Sequence, residues 1–571
     1  MTSTSISIHF EFRIRMPSPN LPPETPFAIG TPRFAAPVAD ALTGWQQAYA
    51  TRGANCAADL GGEFAVALDL PGGGTYLAVD RFATHSLCYA VHDGRMHYAT
   101  RADVLARRLG TRDIDPQAVF DYLFHHCIPS PRTIYAGIHR LPPAHYALFE
   151  NGKLTVAPYW TPRFDEQIRP NFTELRDEFR SILRSAVRER ISSDGQTACF
   201  LSGGTDSSTI CGLLREATGQ PPASYSIGFE AEGYDEMEYA RIAAKAYGAD
   251  HHEYYVTPAD LVKAIPDVAA YYDQPFGNSS AVPAFYCASK ARADGYTRLL
   301  AGDGGDELFG GNTRYAKESV FDIYYRVPAA LRAIGDPLLL NPLVANIPLL
   351  KKGASYIHQA RVPMPDRMQS YNLLDRLGLA EIFTPAFLAA VNANAPRDHQ
   401  RAAWLAGPQS ASLINQMLAF DWRYTLAEND LPKVMGTAGL AGVDVSFPLL
   451  DTRLLDFSLK LPTSYKLKGL KLRWFFKEAL RGFLPDEILT KKKHGFGLPF
   501  GPWAVKDAAL NALAAESLRG VAERGLVRTE FVDSLLTQRL KEHAGFYGEM
   551  VWILMMLEQW LRQHAPDYRF A

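Results

Sequence analysis

The sequence predicts a chain in two parts: a β-rich half, then an α/β half with a parallel sheet that passes into a helix-rich C-terminal region. Three observations lead there. Short alternating segments separated by turn clusters run from Ile6 to about Tyr159. A strand, a glycine turn, an amphipathic helix and a second strand then follow within about 30 residues, the signature of a parallel βαβ unit. Finally, 571 residues exceed what one hydrophobic core usually serves.

In the first half, Phe64 to Leu70 alternates as a half-buried strand does, and Pro71-Gly72-Gly73-Gly74 and His92-Asp93-Gly94 read as turns. The triple glycine resembles a phosphate loop only superficially. No helical pattern follows it, so a hairpin turn is expected. The Pro-bearing stretch Pro158 to Arg163 places the boundary near residue 165, giving parts 1–165 and 166–571. Beyond it, Leu175, Phe179, Ile182, Leu183 and Val187 recur at helical spacing between Asn171 and Ile191. Thr197 to Leu201 reads as a strand, the segment from Ser207 as a helix and Ser224 to Phe229 as the next strand. Ala411 to Ala427, Arg473 to Leu484 and Phe546 to His564 read as helices.

Composition excludes several classes. Apolar residues make up 47% and charged residues 21%, the balance of a globular protein. A net charge of −2 and a pI near 6.7 give no field to gather nucleic acid or an anionic membrane. Pro342 and Pro348 break the most apolar segment, Pro337 to Leu350, so no membrane span is expected. The six cysteines, Cys56, Cys88, Cys127, Cys199, Cys211 and Cys287, lack C-x-x-C spacing, which argues for a reducing cytoplasm over disulfides or zinc. The N-terminus alternates like a strand and has no secretion-signal pattern.

The chemistry-bearing signal is Phe200-Leu201-Ser202-Gly203-Gly204-Thr205-Asp206-Ser207-Ser208 at the strand-to-helix junction. Glycines let backbone N–H groups approach phosphate oxygens, Ser202 and Ser207 add hydroxyls, and the helix start carries partial positive charge. A bare carboxylate there would be repelled by phosphate, so Asp206 is read as a magnesium ligand. A plain tight turn would leave Asp206 and Ser207 unexplained. A second cluster, Ala301-Gly302-Asp303-Gly304-Gly305-Asp306-Glu307, follows the apolar Arg298 to Leu300. Alone it could be a solvated acidic turn; paired with the first, its two carboxylates three residues apart are suited to hold a second magnesium ion against pyrophosphate.

The first motif resembles the S-G-G-x-D-S loop of ATP pyrophosphatases, which cleave ATP to AMP and pyrophosphate. The kinase-type P-loop is absent, since Gly152-Lys153 is followed by Leu154. With Gly62-Glu63-Phe64, Val79-Asp80-Arg81-Phe82, Ile128 to Ile134, Leu141-Pro142-Pro143, Tyr225 to Phe229, Tyr234-Asp235-Glu236, Phe447 to Asp451 and Lys493 to Gly497, the chain resembles class B asparagine synthetases over most of its length. The resemblance implies an N-terminal Ntn-hydrolase-like sandwich and a PP-loop synthetase domain using ATP and Mg2+. It implies that Leu201, Ile227 and Gly302 line the adenosine pocket, that Asp206 and Asp306 ligate the metal, that Asp303 stands at the acyl-adenylate, and that Lys493 approaches the phosphates.

The departures bear on the amine. Glutamine-using members carry a cysteine after the initiator methionine, whereas this sequence has Thr2 and a shortened segment before Gly62, so no glutamine hydrolysis is expected. Cys56 or Cys88 would lack the adjacent free amine and oxyanion donors. The family's Asp-Arg-x-Ser-Met pattern reads Met435-Gly436-Thr437-Ala438-Gly439, and a later arginine reads Ser446. The family's catalytic lysine is Arg473, which cannot easily release a proton, with Lys471 or Lys477 as stand-ins. These departures resemble the branch of lasso-peptide macrolactam cyclases and β-lactam synthetases. Intramolecular amide formation on a peptide carboxylate is therefore the leading expectation, served by a leader-peptide-processing protease or recognition protein. An ammonia-dependent asparagine or carboxamide synthetase, a β-lactam synthetase and a non-catalytic scaffold are the alternatives. His251-His252-Glu253 is set aside as a metal site and His125-His126 as inert. Lys491 to Lys493 are read as a closing loop over pyrophosphate.

Overall fold

The computed structural model describes residues 24–166, 171–231, 233–340, 348–491 and 497–570. Thr2, the alternating N-terminus and Lys493 lie outside them.

The N-terminal part is a sandwich. An antiparallel sheet runs in the order β1-β2-β3-β7-β8: β1 (Phe27–Arg33), β2 (Gly61–Leu70), β3 (Gly74–Val79), β7 (His145–Glu150) and β8 (Lys153–Pro158). It packs on β4 (Cys88–His92), β5 (Arg95–Ala99) and β6 (His139–Arg140), ordered β5-β4-β6. Alternation along β2 sets the two faces, as the twofold period of a strand requires. Phe64, Val66 and Leu68 meet Trp45 of the helix Ala41–Arg52, while Ala65 and Ala67 meet Tyr89, Met96 and Tyr98. Pro71 to Gly73 is the expected hairpin turn between β2 and β3. The helices Ala102–Leu109 and Pro116–His125 were not legible there, and the second corrects the loop-like reading of His125-His126.

The second part holds a parallel sheet ordered β11-β10-β9-β12-β13: β9 (Thr197–Phe200), β10 (Ala223–Phe229), β11 (Asp250–Val256), β12 (Arg298–Leu300) and β13 (Asp444–Ser446). Its central strands are buried on both faces, as helix-covered parallel strands are. The helix Phe172–Arg188, capped by Asn171, buries Phe179 and Leu183 against Phe309, Phe457 and Phe475.

Two helical expectations change at their ends. The segment Ala411 to Ala427 is a helix Leu413–Asp421 that widens over Trp422–Asp430. From Arg473 only Trp474–Ala479 is helical, because Arg473 itself has φ +53°, a left-handed conformation no helix interior accepts. It follows a hairpin of β14 (Leu467–Lys468) and β15 (Lys471–Leu472).

The two parts share a core. The C-terminal helix Ala544–His564 is buried along most of its length, and its Ile553 carbonyl accepts the Tyr122 hydroxyl of the first part at 2.8 Å. Asp451, fully buried, accepts from Arg33 and, at 3.0 Å, from Arg190, which also reaches Glu63. No helix among the described residues is long and apolar enough to cross a membrane.

Candidate active site

A cavity of about 1460 Å³ opens at the C-terminal ends of β9, β10 and β12. Open parallel sheets bind ligands at that edge. Leu201, Ser202, Gly204, Asp206, Ser207, Ile227, Gly302, Asp303 and Asp306 all line it.

The loop after β9 holds itself in shape. The Leu201 amide donates to Tyr225 O at 2.9 Å, the Ser202 amide donates to Ser207 Oγ at 3.1 Å, and the two serine hydroxyls lie 3.0 Å apart. Gly203 has φ +68°, and a Cβ there would fall 2.3 Å from the Ala240 amide nitrogen, so only glycine fits. The helix Thr205–Thr218 begins two residues before Ser207, which puts Asp206 in its first turn.

The acidic loop crosses the first loop closely. A Cβ on Gly302 would lie 2.9 Å from the Ser207 amide nitrogen. Asp206 and Asp306 converge on one nitrogen of Arg473, whose Nη1 donates to Asp206 Oδ2 at 2.7 Å, Asp306 Oδ1 at 2.9 Å and Thr205 Oγ1 at 2.8 Å. Nη2 donates to the other Asp206 oxygen. The guanidinium lies 4.1 Å above the Phe476 ring and is 4% exposed as a residue. Burial alone would pull Arg473 down, but Asp206 and Asp306 outweigh it and hold the charge. The paired carboxylates are hard oxygen donors of the kind magnesium takes, so Asp206 and Asp306 fit that ion, with Arg473 as a cation already between them.

Asp303 stands beside a cation that sequence reasoning missed. Lys433 Nζ lies 3.7 Å from Asp303 and 3.1 Å from Asp430. Burial pushes the Asp303 carboxyl up to about 6, with Lys433 opposing. Burial pulls the Lys433 ammonium down, but Asp430 and Asp303 together raise it above its ordinary value. The Asp430–Lys433 spacing of three on a helix was the available signal.

Of the remaining candidates, Lys471 is exposed on the hairpin at the cavity wall. Lys477 donates to Leu489 O at 2.8 Å and is lowered by burial and then by Arg473. Lys491 pairs with Glu236 at 3.1 Å. His126, expected to be inert, lines the cavity 3.5 Å from Glu549. Gly436, one of the departures from the family's charged pattern, packs on Tyr272, where a Cβ would meet the ring at 2.5 Å. His251 lies 3.7 Å from Glu253, which Arg241 engages, and no cluster of three metal-ligating side chains occurs among the described residues.

Comparison with known proteins agrees with this layout. Residues 178–562 match the family model described as asparagine synthase, and residues 45–160 match that of a glutamine amidotransferase domain. The chain is similar to asparagine synthetase [glutamine-hydrolyzing] 1 of Bacillus subtilis, 24% identical over 491 residues, covering 85% of this chain and 74% of the relative. A putative asparagine synthetase [glutamine-hydrolyzing] of Mycobacterium tuberculosis is 26% identical over 408 residues, covering 68% of this chain and 59% of that one. Amidase chry2 of Gibberella zeae is 27% identical over 482 residues, covering 75% and 68%.

Proposed function

We propose, on the premise that this chain belongs to the asparagine synthase family and is an ATP-dependent carbon–nitrogen ligase of the asparagine-synthetase type, that it forms an amide without hydrolysing glutamine. The amine comes from the substrate itself, as in macrolactam or isopeptide formation on a peptide.

The carboxylate oxygen bonds the α-phosphorus of ATP as the bond to pyrophosphate breaks. The amine nitrogen then bonds the carbonyl carbon and loses a proton as the bond to AMP breaks. The Ser202 to Ser207 loop and Arg473 meet the pyrophosphate charge, where preformed donors cost no reorganisation. Magnesium brought in with the nucleotide, with Asp206 or Asp306 among its ligands, would supply further charge neutralisation there. Asp303 and Lys433 orient the acyl group and the incoming amine, and Asp303, raised toward neutrality, is suited to accept the amine's proton.

The observation that carries the glutamine-independent reading is the burial of all six cysteines of the sequence. Cys56 is 1% exposed and its thiol is raised by burial, and Cys88 is fully enclosed and raised likewise. Such thiols are poor nucleophiles. The cavity, at about 1460 Å³, exceeds the roughly 300–1,000 Å³ of ordinary small-ligand sites, which leaves room for a peptide beside the nucleotide. Free unpaired cysteines also suit a reducing cytoplasm.

The test is product mass with labelled ammonium present. Dehydration without label is the expected outcome, with AMP and pyrophosphate released and no glutamate formed from glutamine. Label in the product would replace this reading with an ammonia-dependent carboxamide synthetase.

A further inference from the structure

We infer that Arg473 is a resident cation of the phosphate site, taking the place of one divalent ion between Asp206 and Asp306. The inference rests on the nucleotide reading above and concerns how many metal ions that reading requires.

Two carboxylates that share one nitrogen at 2.7 and 2.9 Å cannot both stay ionised without a cation between them. The guanidinium supplies it, and its planar fork matches the geometry of paired acceptors as an ammonium does not. The surroundings are shaped to it. A Cβ on Gly305 would fall 2.2 Å from Asp206 Oδ1 and 2.9 Å from Arg473 Nη2. A Cβ on Gly311 would fall 1.7 Å from Asp306 Oδ1 and 2.5 Å from Arg473 Cδ. Both glycines clear the volume the ion group fills.

The backbone is committed to the same end. Arg473 keeps φ +53°, an uncommon conformation for a residue with a side chain, and its amide donates to Gly310 O at 3.2 Å, tying it to the acidic loop. One donor is left over. Arg473 Nε is buried without a partner, in a residue 4% exposed that lines the cavity. An unmade hydrogen bond of a buried charged group is costly, and the ion pairs with Asp206 and Asp306 offset it.

Counting Mn2+ by electron paramagnetic resonance, with and without a non-hydrolysable ATP analogue, tests this. With analogue bound, Arg473→Gln should hold one more Mn2+ per chain than the wild type. Without analogue, wild-type thermal stability should not respond to Mg2+, while Arg473→Gln should be weakened in chelator and recover with Mg2+. Equal Mn2+ counts with analogue bound to both proteins overturn the inference. So does a stoichiometric Mn2+ on the nucleotide-free wild type that Asp306→Asn removes, a result that needs no Arg473 variant to fold. Failure of the analogue to bind the wild type would instead overturn the nucleotide reading.

Discussion

Lys466 offers a stability test whose sign and size follow from its surroundings. The residue is fully buried, its ammonium donates to Asn415 Oδ1 at 2.7 Å and it lies 4.6 Å from the Phe164 ring centroid. Burial pulls it from the ordinary 10.5 down to about 7, with Glu166 opposing. The unfolded chain therefore binds this proton up to about pH 10.5 and the native protein only up to about 7. Between those values the unfolded state carries more protons, so stability rises with pH by about 1.4 kcal/mol per pH unit, to a total near 5 kcal/mol. Lys466→Met removes that dependence and leaves Asn415 Oδ1 short of a donor, at about 1 kcal/mol. Denaturant midpoints of wild type and variant, taken from pH 7 to 10, should show the variant more stable at pH 7 and that advantage gone by pH 10. A difference between the two proteins that stays flat with pH would refute a neutral buried Lys466.

Asp451 holds the two parts together, and burial, which would raise its carboxyl, is outweighed by Arg33 and Arg453, so it sits well below the usual carboxylate range. Asp451→Asn should cost about 3 kcal/mol by leaving buried Arg190 undercompensated. The penalty should be constant from pH 8 to 5 and shrink below about pH 4, where the wild-type carboxylate begins to lose its advantage; a penalty that persists unchanged at pH 2 argues against the ion network. Gly305→Ala places a methyl 2.2 Å from Asp206 Oδ1 and should cut AMP formation by about 100-fold, as ångström-scale misplacement does. Normal turnover in that variant would show that Asp206 does not need its present position.

The N-terminal sandwich was legible because strand alternation is a local property: Phe64 to Leu70 declares its two faces without knowing what covers them. The helices Ala102–Leu109 and Pro116–His125 escaped, since the second is apolar nearly all round and buried between the two parts, so it shows little periodic contrast. Arg473 misled the helix assignment because its neighbours Trp474 to Ala479 are helical, and nothing in its own sequence announces a left-handed φ.

By itself the sequence determined the order of the two parts, the glycine loop after β9 and the carboxylates Asp206, Asp303 and Asp306, because loop conformation and ligand type are written in adjacent residues. Which cations answer those carboxylates was decided by tertiary structure. Lys433 reaches Asp303 from a helix more than a hundred positions along the chain, and Arg473 reaches Asp206 from still farther. Such partners are set by how the helices pack against the sheet edge, and charge pairing across that distance leaves no local periodicity to read.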